Sequence, residues 1–322
     1  MARAAPCDNR RVSETRGADG TPPRRYSRLR TAAALAVLGR VAGPDPVAAN
    51  QAIHGPVGPR WFAPESAMVR VHGDGSMFVG GVRALLLQSL HPSVMAAVAE
   101  HSGYQSDPWG RLQRTATFLA ETTFGTAENA ERAVRIVRAR HKRVTGTTPD
   151  GVAYEATDPR LLLWVHVAEA ESFLLAHQTY GRSPLDAAGC DEFVAQSALV
   201  AGKLGVVDAP TTLAELEETL RGFEPELRAT PAALVVAEFL RHGAPLPLVA
   251  KPAYSALVAA AIAMMPDWSR APLGLPRRPL LERTVIRGGG RVVTSGIRWA
   301  LDAIPPATPG PAPGDPGVVS GR

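Results

Sequence analysis

The stretch LLLWVHVAEAESFLLAHQTYG, Leu161 to Gly181, decides the fold. Apolar side chains recur on every turn and on nearly every side, and a glycine closes the run. It reads as a long helix, too apolar all round to lie on a surface, so other helices must cover it. His166 interrupts the apolar run LLLWVHVA, and Glu169 follows three residues later on the same face. A single histidine in such a run is more often a hydrogen-bonded core residue than a ligand, and both readings stand at this point.

Reading outward, helical patterns fill the rest of the chain. FVGGVRALLLQSLHP (Phe78–Pro92) is a second apolar helix, broken near Pro92, with Gly80 and Gly81 letting a neighbour come close. Pro92–His101 continues as a helical piece, and GYQSDPWG (Gly103–Gly110) is a turn. RLQRTATFLAETTFG (Arg111–Gly125) follows as a helix that the pattern places in the interior. TAENAERAVRIVRARHKRVTG is the next helix, capped near Thr126 and stopped by Gly146. Thr147–Arg160 is expected to be a loop, its PDG a turn signal. Further helices are expected at 186–202, 212–223, 231–241, 252–265 and 292–304. Arg283–Arg287 is the one weak strand candidate, and RGGGR reads as a flexible connector. The fold class is all-α, a single-domain helical bundle over residues 57–304. A basic, mostly disordered tail with one short helix precedes it (1–56), and a disordered Pro/Gly-rich tail follows (305–322).

The chain has 322 residues, 45% of them hydrophobic and 20% charged, which suits a soluble globular protein with a sizeable core. The net charge of +5 owes much to arginines in the N-terminal tail. No basic stripe interleaved with aromatics exists, which argues against nucleic acid as a partner. Two cysteines, one of them in the tail, exclude a disulfide framework and a cysteine-held metal centre. No apolar run is long enough for a transmembrane helix. The segment Pro23–Gly43 has basic residues before a short apolar run. A short helix and a cytoplasmic chain are the reading here, with a twin-arginine-like export signal as the alternative.

Polar residues in this helical frame pose the functional question. Arg111, Arg114 and Thr115 share one helix face, and Arg138 and His141 share a face of the next helix. Guanidinium groups, a hydroxyl and a histidine on adjacent helices could enclose a planar anionic ligand of largely apolar surface. Haem has those needs: an axial histidine, cations for its propionates and an apolar slot for its ring. The plainer reading pairs Arg111 and Arg114 with Asp107 or Glu121 and leaves His141 in a solvated basic helix end. A di-iron bundle would need Glu-x-x-His twice, and this chain offers only the reverse order, once, at His166 and Glu169. P-loop, dinucleotide and Ser-His-Asp signatures are absent.

Four stretches in order resemble the MpaB-type oxygenase family, which includes the latex clearing proteins or rubber oxygenases. They are GDGSMFVGGVRALLLQSLHP, HSGYQSDPWGRLQRTATFLAETTFGT, VRARHKRVTGTTPDGVAYEATDPRLLLWVHVAEAESFL and MMPDWSRAPLGLP. The resemblance implies a globin-like haem-binding core, haem b with its iron, and an oxygenase or oxidoreductase. It also implies dioxygen and a hydrophobic substrate, isoprenoid or another alkene. The family's Arg-x-x-Lys-Thr pattern falls on Arg111, Arg114 and Thr115, and its Arg-x-x-His pattern on Arg138 and His141. By that resemblance His141 is the iron ligand and Arg111 and Thr115 are the catalytic residues. Arg114 and Arg138 belong to the cofactor environment, with His166 as a second-choice ligand. Arg114 stands where the rubber oxygenases carry lysine, and a guanidinium is too basic to ligate iron as a neutral amine. Glu100 and Glu121 are the candidates for the family's distal carboxylate. The alternative from another class is a non-catalytic helical protein that binds haem or a lipid. Peripheral membrane contact through the basic tail is compatible with either.

Overall fold

The computed structural model describes residues 30, 31, 34, 39–103, 107–243, 245–303 and 307. The expectations for most of the N-terminal tail, for Tyr104–Ser106 and for nearly all of the C-terminal tail lie outside them. In chain order the longer elements are α1 (Pro46–His54), α2 (Ala67–His72), α3 (Met77–Gln88), α4 (Pro92–His101), α5 (Pro108–Phe124) and α6 (Ala127–His141). Two short strands follow, β1 (Thr145–Thr147) and β2 (Ala153–Glu155). Then come α7 (Pro159–Tyr180), α8 (Ala187–Leu204), α9 (Leu213–Gly222), α10 (Pro231–Glu238), α11 (Lys251–Ala263) and α12 (Arg287–Leu301).

The Leu161 stretch is the central helix, as its composition requires. Asp158 caps α7 by accepting from the Arg160 amide at 2.7 Å, Pro159 starts it, and Gly181 ends it. Helix α3 packs along α7 most closely of all the helices. Gly80 makes this approach possible: a β-carbon there would sit 2.8 Å from Phe173 Cδ1 and 3.0 Å from the Ser172 carbonyl. Arg83 is buried in the same seam. It donates to the Met264 carbonyl (2.9 Å), to Ser172 Oγ (2.6 Å) and to the Glu171 carboxylate. Every branch of that guanidinium is thus answered, which burial of a charge demands.

Helices α11 and α12 cover α3 from one side, and α8, α9 and α2 cover α7 from the other. Trp164, fully buried, stacks at 5.2 Å on Phe223 beyond the end of α9. After α3 the chain bends by 107° into α4, and α4 carries the strand pair on its flank.

Five expectations need correction. The Thr147–Arg160 loop holds an antiparallel hairpin, with Gly146 opposite Tyr154, pinned by Tyr154 donating to Glu100 at 2.6 Å. Arg283–Arg287 is helical rather than extended, lying in a π-helical turn (Glu282–Ile286) that runs into α12. RGGGR is the first turn of α12, not a connector. Gly290 is there because Tyr180 lies so close that a β-carbon would meet its ring at 2.6 Å. Helix α5 is not interior: only Thr122 and Thr123 are buried, and both lie at its C-terminal end. Within the segment expected to be a mostly disordered tail, residues 46–54 form α1, which Asp45 caps and which packs on α5.

Candidate functional site

Helices α5 and α6 form a helical hairpin joined through Gly125 and Thr126. Its closed end is well packed, with Thr122, Thr123, Ala130, Ala133 and Val134 buried. The other end carries Arg111, Arg114 and Thr115 on α5, and Arg138 and His141 on α6. These five residues therefore sit at the same open end, as their mirrored distance from the connection dictates.

Each has a defined setting. Arg111 is half-buried and donates to Ser102 Oγ at 3.2 Å. Arg114 is exposed and pairs at 3.4 Å with Asp107, the residue that also caps α5 by accepting from the Gly110 amide. Thr115, exposed, returns its hydroxyl proton to the Arg111 carbonyl at 3.2 Å. Arg138 is exposed and donates to the Lys203 carbonyl at 3.4 Å. His141 differs from its neighbours. Its Nδ1 is buried with no hydrogen-bond partner among the described residues. Burial lowers its pKa, so the ring is neutral with a lone pair to give.

On α7, Leu162, His166 and Glu169 fall at i, i+4 and i+7 and form one stripe. His166 Nε2 is buried without a partner, and desolvation lowers its pKa to about 4. No described residue bonds to Glu169, and the same desolvation raises its carboxyl to about 7. Both side chains lie deep inside the protein, surrounded by its atoms, yet both keep some accessible surface. Neither is sealed off from solvent completely, unlike Trp164 and Val167 on the same helix. Leu162 points the stripe toward the end of α8: its Cδ1 lies 3.7 Å from where a β-carbon on Gly205 would be. Arg138 binds that same end of α8 through Lys203. Neither α5 nor α6 packs closely along α7, whereas α2 and α8 bridge the hairpin to it. Arg138 from the last turn of α6 and Leu162 from the first turn of α7 thus both meet the α8 terminus.

Among the carboxylates, Glu100 is taken by Tyr154 and Glu121 pairs with Arg132 at 3.2 Å. Glu169 is the unengaged one, and reading the sequence missed it in that role. Its signal was a carboxylate inside an apolar run, weighed there only against di-iron spacing.

The residues fit a haem in one respect that matters. A neutral, half-buried histidine with an unpartnered ring nitrogen is a competent single axial ligand. Among the described residues no three His, Cys, Asp or Glu side chains gather as a metal cluster. The donor set therefore suits a group needing one protein ligand better than a bare ion needing several.

The fold is helical apart from one short hairpin, and in it His141 and His166 each leave a ring nitrogen without a partner while Glu169 keeps its carboxyl readily protonated. Residues 69–298 match the family described as "ER-bound oxygenase mpaB/B'/Rubber oxygenase, catalytic domain", and the chain belongs to that family. It is also similar to the uncharacterized proteins Mb2261 of Mycobacterium bovis and Rv2237 of Mycobacterium tuberculosis, 31% identical to each over 99 residues. That alignment covers 30% of this chain and only 38% of each relative's length. No solved structure matches. Among the described residues no single helix is long and apolar enough to cross a membrane.

Proposed function

We propose that the protein is an oxygenase that uses dioxygen and a b-type haem, held by His141 in a globin-like core, to act on an apolar small molecule. The observation that carries this reading is the His141 ring: neutral, half-buried and unpartnered at Nδ1, in a chain of an oxygenase family. Bound haem would supply the iron at which dioxygen is activated. The chain's own residues do the rest. His141 would give its lone pair. Arg111, held toward Ser102, offers fixed N–H donors and positive charge to an anionic or oxygen-bearing group. Thr115 is a second hydroxyl at the same end of the hairpin. Glu169, with its carboxyl near neutrality, can accept or return a proton at its carboxyl oxygen around pH 7. The apolar residues beside it on α7 would keep water out and give a hydrophobic substrate somewhere to lie. An alkene-containing substrate, isoprenoid or otherwise, fits the family description. Cytoplasmic location is part of the same proposal.

The experiment is oxygen consumption by haem-loaded protein with a panel of apolar alkenes, comparing wild type with Glu169→Gln. Turnover that falls at least tenfold in the variant while haem content stays level supports the enzyme and the carboxyl's part in it. Haem binding without any oxygen uptake across the panel contradicts the enzymatic reading and favours a carrier.

A further inference from the structure

The far end of α7 carries a second feature. Between its last turn and α12 lies a cleft of about 640 Å³, lined by Tyr180, Arg182, Arg287, Arg291, Arg298 and Asp302 among others. It is well separated from the His166 stripe: Glu169 and Tyr180 are eleven residues apart along α7, about 16 Å at the helical rise.

Four guanidinium groups face this cleft and one carboxylate, Asp302, stands among them. Arg298 is fixed at the base. It donates to buried Asp74 at 2.9 Å, to the Tyr180 carbonyl at 3.0 Å and to Ser295 Oγ at 3.0 Å. Arg182 meets Asp302 at 3.5 Å. Arg287 and Arg291 have no hydrogen-bond or ion-pair partner among the described residues. One helical turn apart, they share a face of α12. Asp302, the carboxylate lining the cleft, is engaged by Arg182, and two like charges one turn apart repel.

Tyr180 is the second, independent observation. Only 4% of it is exposed, it lines the cleft, and its hydroxyl has no described partner. Its ring is clamped by Gly290, where even a methyl group would collide. A buried tyrosine ordinarily finds a partner for its O–H. This one is held rigidly with a free donor beside two free guanidiniums.

We propose that this cleft is a binding site for a phosphate-bearing ligand, gripped by Arg287, Arg291 and Arg182 with Tyr180 donating from the floor. With Arg298 matched by Asp74, the charges of Arg182, Arg287 and Arg291 exceed that of Asp302 by two, which matches a doubly charged oxyanion; a single carboxylate would leave half of it unmet. Planar guanidinium forks suit phosphate oxygens in paired hydrogen bonds. The phosphate is either that of a soluble ester or that of a lipid headgroup.

The test titrates full-length protein with inorganic pyrophosphate by calorimetry. In parallel, the protein is sedimented with phosphatidylcholine vesicles with and without phosphatidic acid. Wild type is compared with Arg287→Gln/Arg291→Gln, with Tyr180→Phe, and with the charge-matched control Arg135→Gln/Arg221→Gln, all exposed arginines. Saturable pyrophosphate binding, weakened at least tenfold by the α12 pair and several-fold by Tyr180→Phe, supports the site. If vesicles are ignored, the ligand is soluble. If sedimentation needs phosphatidic acid and pyrophosphate competes, the ligand is a lipid headgroup. Absence of binding to either probe overturns the proposal. So does binding that the control pair weakens as much as the α12 pair, since that would be a general charge effect. Neither α12 substitution lies in the core, and an unchanged melting temperature verifies the fold.

Discussion

The two ends of the structure around α7 are built on opposite principles. In the α3–α7 seam the buried charge is answered on every branch: Arg83 binds Glu171, Ser172 and a carbonyl, and Gly80 lets the backbones meet. At the His166 end and the open end of the α5–α6 hairpin, His141 Nδ1 and His166 Nε2 are buried and left unanswered, as are Ser76 Oγ, His91 and His177 Nδ1 elsewhere, and the partly exposed Glu169 has no described partner. An unanswered buried group destabilises the fold, commonly by about 1–3 kcal/mol. The seam holds the protein together and the open end carries that cost, which is the pattern expected where a ligand completes the structure.

The largest effect should come from breaking the seam. Arg83→Ala leaves Glu171 without its cation in a nearly closed site, and a loss of about 3–5 kcal/mol is expected in urea unfolding. Should that variant unfold altogether, Gly80→Ala gives a smaller reading of the same seam. Its methyl group would overlap Phe173, for about 1–3 kcal/mol.

At the open end the sign reverses. Glu169 sits at about 7 in the fold against an ordinary 4.5, so between those values the folded chain holds the extra proton. Its contribution to stability therefore falls as pH rises from about 4.5 to 7 and is flat above. Glu169→Gln should match wild type at pH 4 and exceed it by about 1–3 kcal/mol at pH 8, the range allowing for the carboxyl's partial exposure to water. His166, held near 4, has the opposite slope between about 4 and 6.5. Subtracting the wild-type curve from the variant's isolates the carboxyl. Equal stability at both pH values would show Glu169 to be solvated.

The smallest change belongs to the surface. Arg114→Ala removes an exposed pair with Asp107, and a shift below about 1 kcal/mol is expected in the same unfolding assay. A larger loss would mean that Arg114 supports the hairpin's open end and is not merely a solvated cation.

Much of this contrast was legible in the sequence. The apolar run at Leu161, the Gly80 approach and the cap at Thr126 pointed to the helices and their close seam. The strand pair was not legible, because Thr145–Thr147 and Ala153–Glu155 are too short for alternation to show. RGGGR misled because glycine normally loosens a helix, whereas Gly290 serves contact with Tyr180. Helix α5 misled because its apolar residues Phe118 and Leu119 are only partly covered. Spacing put Arg111, Arg114 and Thr115 on one face, but it could not show which groups already had partners. That required the fold, and the fold turned attention from Glu100 and Glu121 to Glu169.

The most direct test of the account is the visible spectrum of the purified protein supplied with stoichiometric haem, for wild type, His141→Ala and His166→Ala. The account predicts a Soret band in wild type, its loss or strong weakening in His141→Ala, and its survival in His166→Ala. A band that His141→Ala leaves unchanged, or no band in wild type, would contradict it.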